Sequence, residues 1–387
     1  METANRLNGI QEYYFSAKLR EIEAMNQAGK AVINLGIGSP DMAPHPSVIE
    51  ALHENSLSPK NHAYQSYKGI LPLRQAVADW YHDHYAAVID PETEILPMMG
   101  SKEALTHICM TYLNPGDKVL IPNPGYPTYR SAVSLAGGIC VEYTLTDTGN
   151  SGIDLQQLNA IEKGTVKLMF LNFPHMPTGK RMGKEGFEQI IRFAKEKEIL
   201  LIHDNPYSFI LNDQPLSILS IEGAKDCAIE LNSLSKSHNM AGWRMGFMIS
   251  VAAHIQDVLR FKSNMDSGMF LPLQMAAIKA LNLDQEWYEG LNKEYSKRRV
   301  QAKEIFDSLQ CTYTEDQAGL FLWARIPGHY EDAFRISEDI LHKHNVFITP
   351  GGIFGSEGNQ YLRISLCSPV NVLATALKRI SVHETVQ

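Results

Sequence analysis

No run of about eighteen apolar residues occurs anywhere in the sequence, so a membrane-spanning helix is not expected. Cysteine is scarce and scattered. Cys109, Cys140, Cys227, Cys311 and Cys367 are odd in number and lack the close paired spacings of a zinc site or the density of a disulfide scaffold, so reduced core thiols are expected. A basic excess is missing too: a formal charge of -8 and a pI near 6.0 give no bulk electrostatic reason to bind nucleic acid or an anionic membrane surface. The opening residues, METANRLNGIQEYYF, contain no basic segment followed by an apolar stretch, which makes a cytoplasmic protein the expectation. Repeats and low-complexity tracts are lacking, and the fourteen histidines show no metal-ligand pairing, so no metal is expected. Two glycine-bearing fragments fall short of nucleotide signatures. LGIGSPD, with Gly36 and Gly38, has no third glycine or following helix, and PTGK near Gly179 lacks the upstream glycine of a phosphate loop. What is present is ordinary: 387 residues, 44% hydrophobic and 20% charged, suffice for a soluble two-domain protein with a small-molecule partner.

Apolar runs alternate with amphipathic stretches along most of the chain. EILPMM precedes SKEALTHICMTYL, KVLIP precedes YPTYRSAVSLAG, VKLMFLNF precedes KEGFEQIIRFAKEKE, and ILLIHD and CAIEL follow. Such alternation predicts an α/β fold, a mostly parallel sheet sandwiched by helices. Val166 to Leu171 and Ile199 to His203 are almost continuously apolar, as strands covered on both faces should be. After about Leu281 the pattern changes to a long charged helical stretch, Glu286 to Leu309, then LFLWARIP, a helix near Glu331 to His344, the strand YLRISLC and a last helix. A smaller α+β domain is expected there, with the N-terminal segment packed on it. The expected division is residues 45–282 for a large domain and 1–44 with 283–387 for a small one.

In doubly wound sheets, ligands collect beyond the carboxyl ends of the strands. VKLMFL ends in Asn172, ILLIH ends in Asp204 with Tyr207 one turn on, and AIELN ends in Ser233, Ser235 and Lys236, with Arg244 eight residues later. A carboxylate, a phenol, two hydroxyls, an amine and a guanidinium suit a phosphorylated heteroaromatic aldehyde. A buried lysine with cationic neighbours has a depressed pKa and can condense with the aldehyde; that would be Lys236. A carboxylate facing a pyridine nitrogen keeps it protonated, so that the ring withdraws electrons from a substrate carbanion; that would be Asp204. The phosphate needs several charge-assisted donors and a helix N-terminus, which Ser233, Ser235, Arg244 and the Gly100-Ser101-Lys102 turn could provide.

These residues lie in stretches that resemble the class I/II aminotransferases, pyridoxal 5'-phosphate enzymes of fold type I, and the resemblance spans nearly the whole chain. SLSKSHNMAGWRMG is similar to that family's S-x-S-K-x-x-x-x-x-G-x-R-x-G signature, which implies Lys236 as the Schiff-base lysine and Arg244 as a phosphate ligand. Asp204 and Tyr207 resemble the pair on the ring nitrogen and ring hydroxyl. YQSYKGILPLR resembles a stretch whose tyrosine, here Tyr64, reaches the phosphate of a neighbouring subunit, which implies a homodimer. NPGYPTY puts Tyr126 where the family stacks an aromatic ring on the cofactor, INLGIGSPD puts Gly38 near the substrate carboxylate, and YLRIS puts Arg363 where a guanidinium fork grips the α-carboxylate.

One departure from the family pattern is FPHMPTG, which has Met176 in place of the asparagine beside the ring hydroxyl; Asn172 or Tyr207 could compensate. The resemblance implies ping-pong transfer of an amino group between an L-amino acid and a 2-oxo acid, with Lys236 carrying the proton between carbons. A C–S β-lyase on the same fold is the alternative, and a non-enzymatic ligand-sensing domain is a poorer one. FKSNMDSGMFLPLQMAA is similar to a stretch of diaminopimelate- and alanine-type aminotransferases, with Met265 and Met269 as a possible pliable wall against substrate or as plain packing.

Overall fold

The computed structural model describes residues 1–8, 10, 12, 14–146 and 152–381. Its strands in chain order are β1 (Ile33–Asn34), β2 (Ile95–Met98), β3 (Lys118–Asn123), β4 (Ile139–Thr144), β5 (Val166–Leu171), β6 (Leu200–Asp204), β7 (Ala228–Ser233), β8 (Gly246–Ile249), β9 (Phe321–Arg325), β10 (Val346–Phe347), β11 (Thr349–Pro350) and β12 (Tyr361–Ser365). Seven of them form one sheet in the order β2-β8-β7-β6-β5-β3-β4. The pairs from β4 to β7 are parallel, whereas β8 pairs antiparallel with both β7 and β2. Only β8 therefore runs against the rest of this sheet.

That sheet is buried on both faces. On β5, Met169 and Leu171 enter one apolar cluster and Leu168 and Phe170 enter another on the opposite side, as the two-residue period of a strand requires. The helix Lys184–Lys197 covers the first face with Phe187, Ile190, Ile191 and Ala194, spaced as one helical stripe. The helix Ser101–Tyr112 covers the second with Ala104, Leu105, Ile108 and Cys109, spaced the same way. Near-continuous apolar strands and striped helices are two sides of one arrangement: the sheet has no wet face, and each helix has one.

A second sheet, β11-β12-β9, is antiparallel and packs with the helices Gln285–Ser308, Ala333–His344 and Val370–Ser381. The N-terminal segment joins this part of the molecule. β1 pairs in parallel with β10, with Ile33 opposite Val346, and Phe15, Ile22 and Leu35 share an apolar cluster with Ile340, Leu341 and Phe347. The nearly buried Arg298 locks the following loop, pairing with Asp41 at 2.6 Å while donating to the Leu366 carbonyl at 3.1 Å. Among the described residues, no helix is long and apolar enough to cross a membrane.

Candidate active site

The direction of β8 decides where the site forms. Because β8 returns antiparallel beside β7, the segment 234–245 between them turns over at the carboxyl end of β7, and Lys236 and Arg244 stay at that one end of the sheet. β2 is antiparallel to β8 as well, and Met98 lies opposite Gly246, which in turn faces Ser233, so the turn after β2 reaches the same edge. Asp204 and Asn172, at or just past the ends of β6 and β5, complete the row.

A cavity of about 550 Å³ opens there, a size ordinary for a small-molecule site. Of the residues expected from the sequence, Gly38, Ser101, Lys102, Tyr126, Asp204, Tyr207, Ser233, Ser235, Lys236, Arg244 and Arg363 all line it. Tyr64 does not; it is 90% exposed on the outside of this single chain. Met265 and Met269 are absent from the wall as well, since Met269 is buried in the core and Met265 is exposed on another face.

Lys236 sits on a one-turn helix, Leu234–Ser237, and its Nζ donates to the Gly38 carbonyl at 2.6 Å. Burial holds its pKa below the usual lysine range, and the nearby Arg363 and Arg244 guanidiniums act in the same direction. Asp204 is displaced the other way. Desolvation lifts its carboxyl to about 6, against the opposing pull of a hydrogen bond from Tyr129, whose hydroxyl donates to Oδ2 at 3.0 Å. Its other oxygen, Oδ1, is buried with no hydrogen bond of ordinary geometry, although the Ser101 side chain is near enough to favour the charged form. A buried carboxylate with an unsatisfied oxygen on a cavity wall invites a cationic donor.

At the edge by β2, Gly100 has φ +82°, which leads the chain into the helix beginning at Ser101. A side chain on Gly100 would collide with the Arg244 guanidinium, whose Nη2 donates to the Met99 carbonyl at 3.2 Å. A helix N-terminus, an arginine, Lys102 and the hydroxyl residues Ser101, Ser233 and Ser235 thus gather donors that could cradle an anion. Across the cavity, the buried Arg363 donates to the Gly36 carbonyl at 2.7 Å and to Met176 Sδ at 3.4 Å. Its guanidinium carbon lies 3.9 Å from the Phe321 ring centroid and 4.6 Å from that of Phe354. Burial raises the Tyr207 phenol, which packs edge-on to Phe321.

The place where the motif departs from its pattern has its own geometry. Asn172 donates to the Asp204 backbone carbonyl at 2.6 Å and accepts from the Met176 amide at 2.7 Å, so both ends of its side chain are tied to backbone. Asn172 therefore positions Asp204 and Met176. Tyr129 was not anticipated from the sequence, although its place three residues after Tyr126, one turn along the helix Pro127–Leu135, would have put both on one face. The aromatic setting of Arg363 could not have been read, because Phe321 and Phe354 come from distant segments.

The residues fit pyridoxal 5'-phosphate on chemical grounds: an amine of lowered pKa for its aldehyde, a half-satisfied carboxylate for its ring nitrogen, and an anion cradle for its phosphate.

Comparison with known proteins gives one answer. The family model described as aminotransferase class I and II matches residues 30–380. The chain is 40% identical over 382 residues to the LL-diaminopimelate aminotransferase of Desulforudis audaxviator, covering 97% of this chain and 96% of that one. It is 37% identical over 382 residues to the enzyme of the same name from Halothermothrix orenii, with 98% of each covered. Among solved structures, apo-BacF from Bacillus subtilis superposes with a TM-score of 0.94 at 36% identity, covering 99% of this chain and 98% of that one.

Proposed function

The chain belongs to the class I and II aminotransferases, which use pyridoxal 5'-phosphate, and we propose that its strand-end cavity moves an amino group between an L-amino acid and a 2-oxo acid in two half-reactions. The observation that carries this reading is the convergence of a buried amine, a half-satisfied carboxylate and a buried guanidinium on one cavity. When bound, the cofactor supplies an aldehyde that condenses with amines and a protonated ring that draws electrons from the substrate α-carbon.

Asp204, held in place by Tyr129 and, through its backbone, by Asn172, would keep a proton on the cofactor's ring nitrogen. Lys236 Nζ would hold the cofactor's aldehyde at rest and, once free, would serve as the base and acid that moves the substrate's α-proton. Its lowered pKa makes the neutral base accessible. Among the lining residues, Tyr207 and Tyr126 would hold the cofactor's ring, and Ser101, Lys102, Ser233, Ser235 and Arg244 would hold its phosphate. Arg363 grips the α-carboxylate beside Gly38, and its contact with Met176 Sδ makes the methionine part of the clamp's support.

A homodimer with shared sites is part of the proposal. Large apolar side chains left exposed, Leu57, Tyr64, Tyr67, Leu71, Met265 and Phe270, come from two segments that meet where His62 approaches Phe270 with ring centroids 5.6 Å apart. An apolar surface of that kind suits burial against a second copy, with Tyr64 delivered to the neighbour's phosphate. A cytoplasmic location is supported by five free cysteines, which suit a reducing compartment.

The test is a half-reaction. Holoenzyme given an amino acid without an acceptor should lose the visible absorbance of its aldehyde form stoichiometrically and regain it on addition of a 2-oxo acid, and Lys236→Ala should slow the conversion by about 10²- to 10⁴-fold. Continuous release of pyruvate and ammonia with the aldehyde form persisting would replace transamination by β-elimination.

A further inference from the structure

Around Arg363 the cavity wall is rich in rings and aliphatic side chains. Beside the two rings already described at Arg363, a third, Phe15, has its centroid 5.7 Å from the guanidinium carbon. Phe15 and Leu19 are four residues apart on the helix Tyr14–Gln27, so they share a face, and both line the cavity. Ile37, from the loop after β1, and Tyr126 extend the same wall. Gly38 is held beneath it, since a side chain there would run into the Phe321 ring. Sequence alone separates these groups by hundreds of residues; the pairing of β1 with β10 and the packing of Phe15 in the cluster that holds Phe321 and Phe354 bring them together.

Charge is distributed differently. Among the described residues of this chain lining the cavity, the acidic and basic side chains are Lys102, Asp204, Lys236, Arg244 and Arg363. Lys102 and Arg244 belong to the anion cradle around the start of the helix at Ser101, Asp204 and Lys236 to the ring and aldehyde, and Arg363 to the α-carboxylate. Beyond the clamp the polar side chains of this wall are neutral, namely the hydroxyls of Ser16, Ser39 and Tyr126. Tyr64, proposed to enter from the neighbouring subunit, adds another neutral phenol.

From this we infer that the amino donor is an L-amino acid with a bulky, uncharged, apolar side chain, aromatic or branched aliphatic, selected by Phe15, Leu19 and Ile37 of the N-terminal segment; the inference rests on the transamination reading. It departs from the substrate in the names of the curated relatives. LL-diaminopimelate carries a second ammonium and a second carboxylate at its far end. With Arg363 engaged by the near carboxylate, no described lining residue of this chain is left to offer the far end an opposite charge, and a charge set against hydrocarbon without a partner loses its hydration uncompensated. An apolar side chain instead leaves water and packs on the aromatic wall.

The experiment is a single-turnover comparison on holoenzyme without acceptor, following the cofactor's visible absorbance with L-phenylalanine, L-leucine, L-alanine and LL-diaminopimelate. The second-order rate constant for phenylalanine or leucine should exceed that for LL-diaminopimelate by about 100-fold or more, the scale on which a pocket mismatched to buried polar groups discriminates. LL-diaminopimelate reacting as fast as the apolar donors would overturn the inference while leaving transamination standing. If no amino acid converts the cofactor, the transamination reading fails as well, a separate outcome. Leu19→Arg supplies the second arm, at a position 42% exposed where a long cationic side chain can be accommodated by the fold. It should lower the ratio of phenylalanine to alanine reactivity by about tenfold; an unchanged ratio would remove the N-terminal helix from substrate selection.

Discussion

Asp204 illustrates how one residue's environment sets both a role and a measurable property. Its carboxyl rises from the ordinary 3.8 to about 6 because it is desolvated, despite the Tyr129 hydroxyl. A folded-state value above the unfolded one means that ionisation opposes folding: the favourable contribution is fully present below 3.8 and is lost as pH rises through about 6. In the cofactor-free chain the loss amounts to about 3 kcal/mol once complete. Asp204→Asn removes the titration, so cofactor-free variant and wild type should diverge in Tm between pH 3.8 and about 6, the variant gaining, and run parallel above that. Curves parallel throughout would show that Asp204 does not titrate there. Adding cofactor to the wild type should narrow the gap, since a pyridinium beside Oδ1 favours the carboxylate. The sequence pointed to Asp204 because an acid at the end of an apolar strand stands out; its partner Tyr129 did not stand out, because a tyrosine on a core helix face looks like packing.

Among the elements, the turn from β2 into the helix at Ser101 and the return from β7 into β8 meet at Gly100 and Gly246. A side chain on Gly246 would come within 2.8 Å of the Gly100 Cα, and one on Gly100 would displace Arg244. Only glycine fits both the contact and the φ of +82°. Gly100→Ala should therefore raise the dissociation constant for pyridoxal 5'-phosphate by about tenfold or more, given about 1 kcal/mol of backbone strain together with a shifted phosphate ligand, while Tm falls by only a few degrees. Equilibrium dialysis of the cofactor checks this, and an unchanged affinity would separate Arg244 from the cradle. The strands themselves were legible, since apolar runs bounded by polar ends have few other uses. The antiparallel direction of β8 was not: a strand buried on both faces reads as a continuous apolar run whichever way it points.

For the whole molecule, the decisive question is whether one chain makes a complete site. Tyr64 stands outside its own chain's cavity, and the proposal gives it to the neighbour's. Lys236→Ala and Tyr64→Ala proteins, each impaired alone, should recover about a quarter of wild-type activity when unfolded and refolded as an equal mixture, because half of the dimers then hold one site with both residues intact. A contribution within one chain predicts no recovery, as every site would lack one residue. The sequence by itself determined the α/β alternation and the family through its ordered motifs, and it singled out Lys236, Asp204 and Arg363 as the candidate amine, carboxylate and guanidinium, because each of these is written in contiguous residues whose chemistry is unusual for their place. Tertiary structure alone decided that β8 reverses and gathers Arg244 with Gly100, that Tyr129 and Asn172 hold Asp204, and that Phe15, Phe321 and Phe354 surround Arg363. Those contacts join segments far apart in the chain, where any apolar residue of suitable size serves packing equally well, so their roles become visible only once the chain has closed on itself.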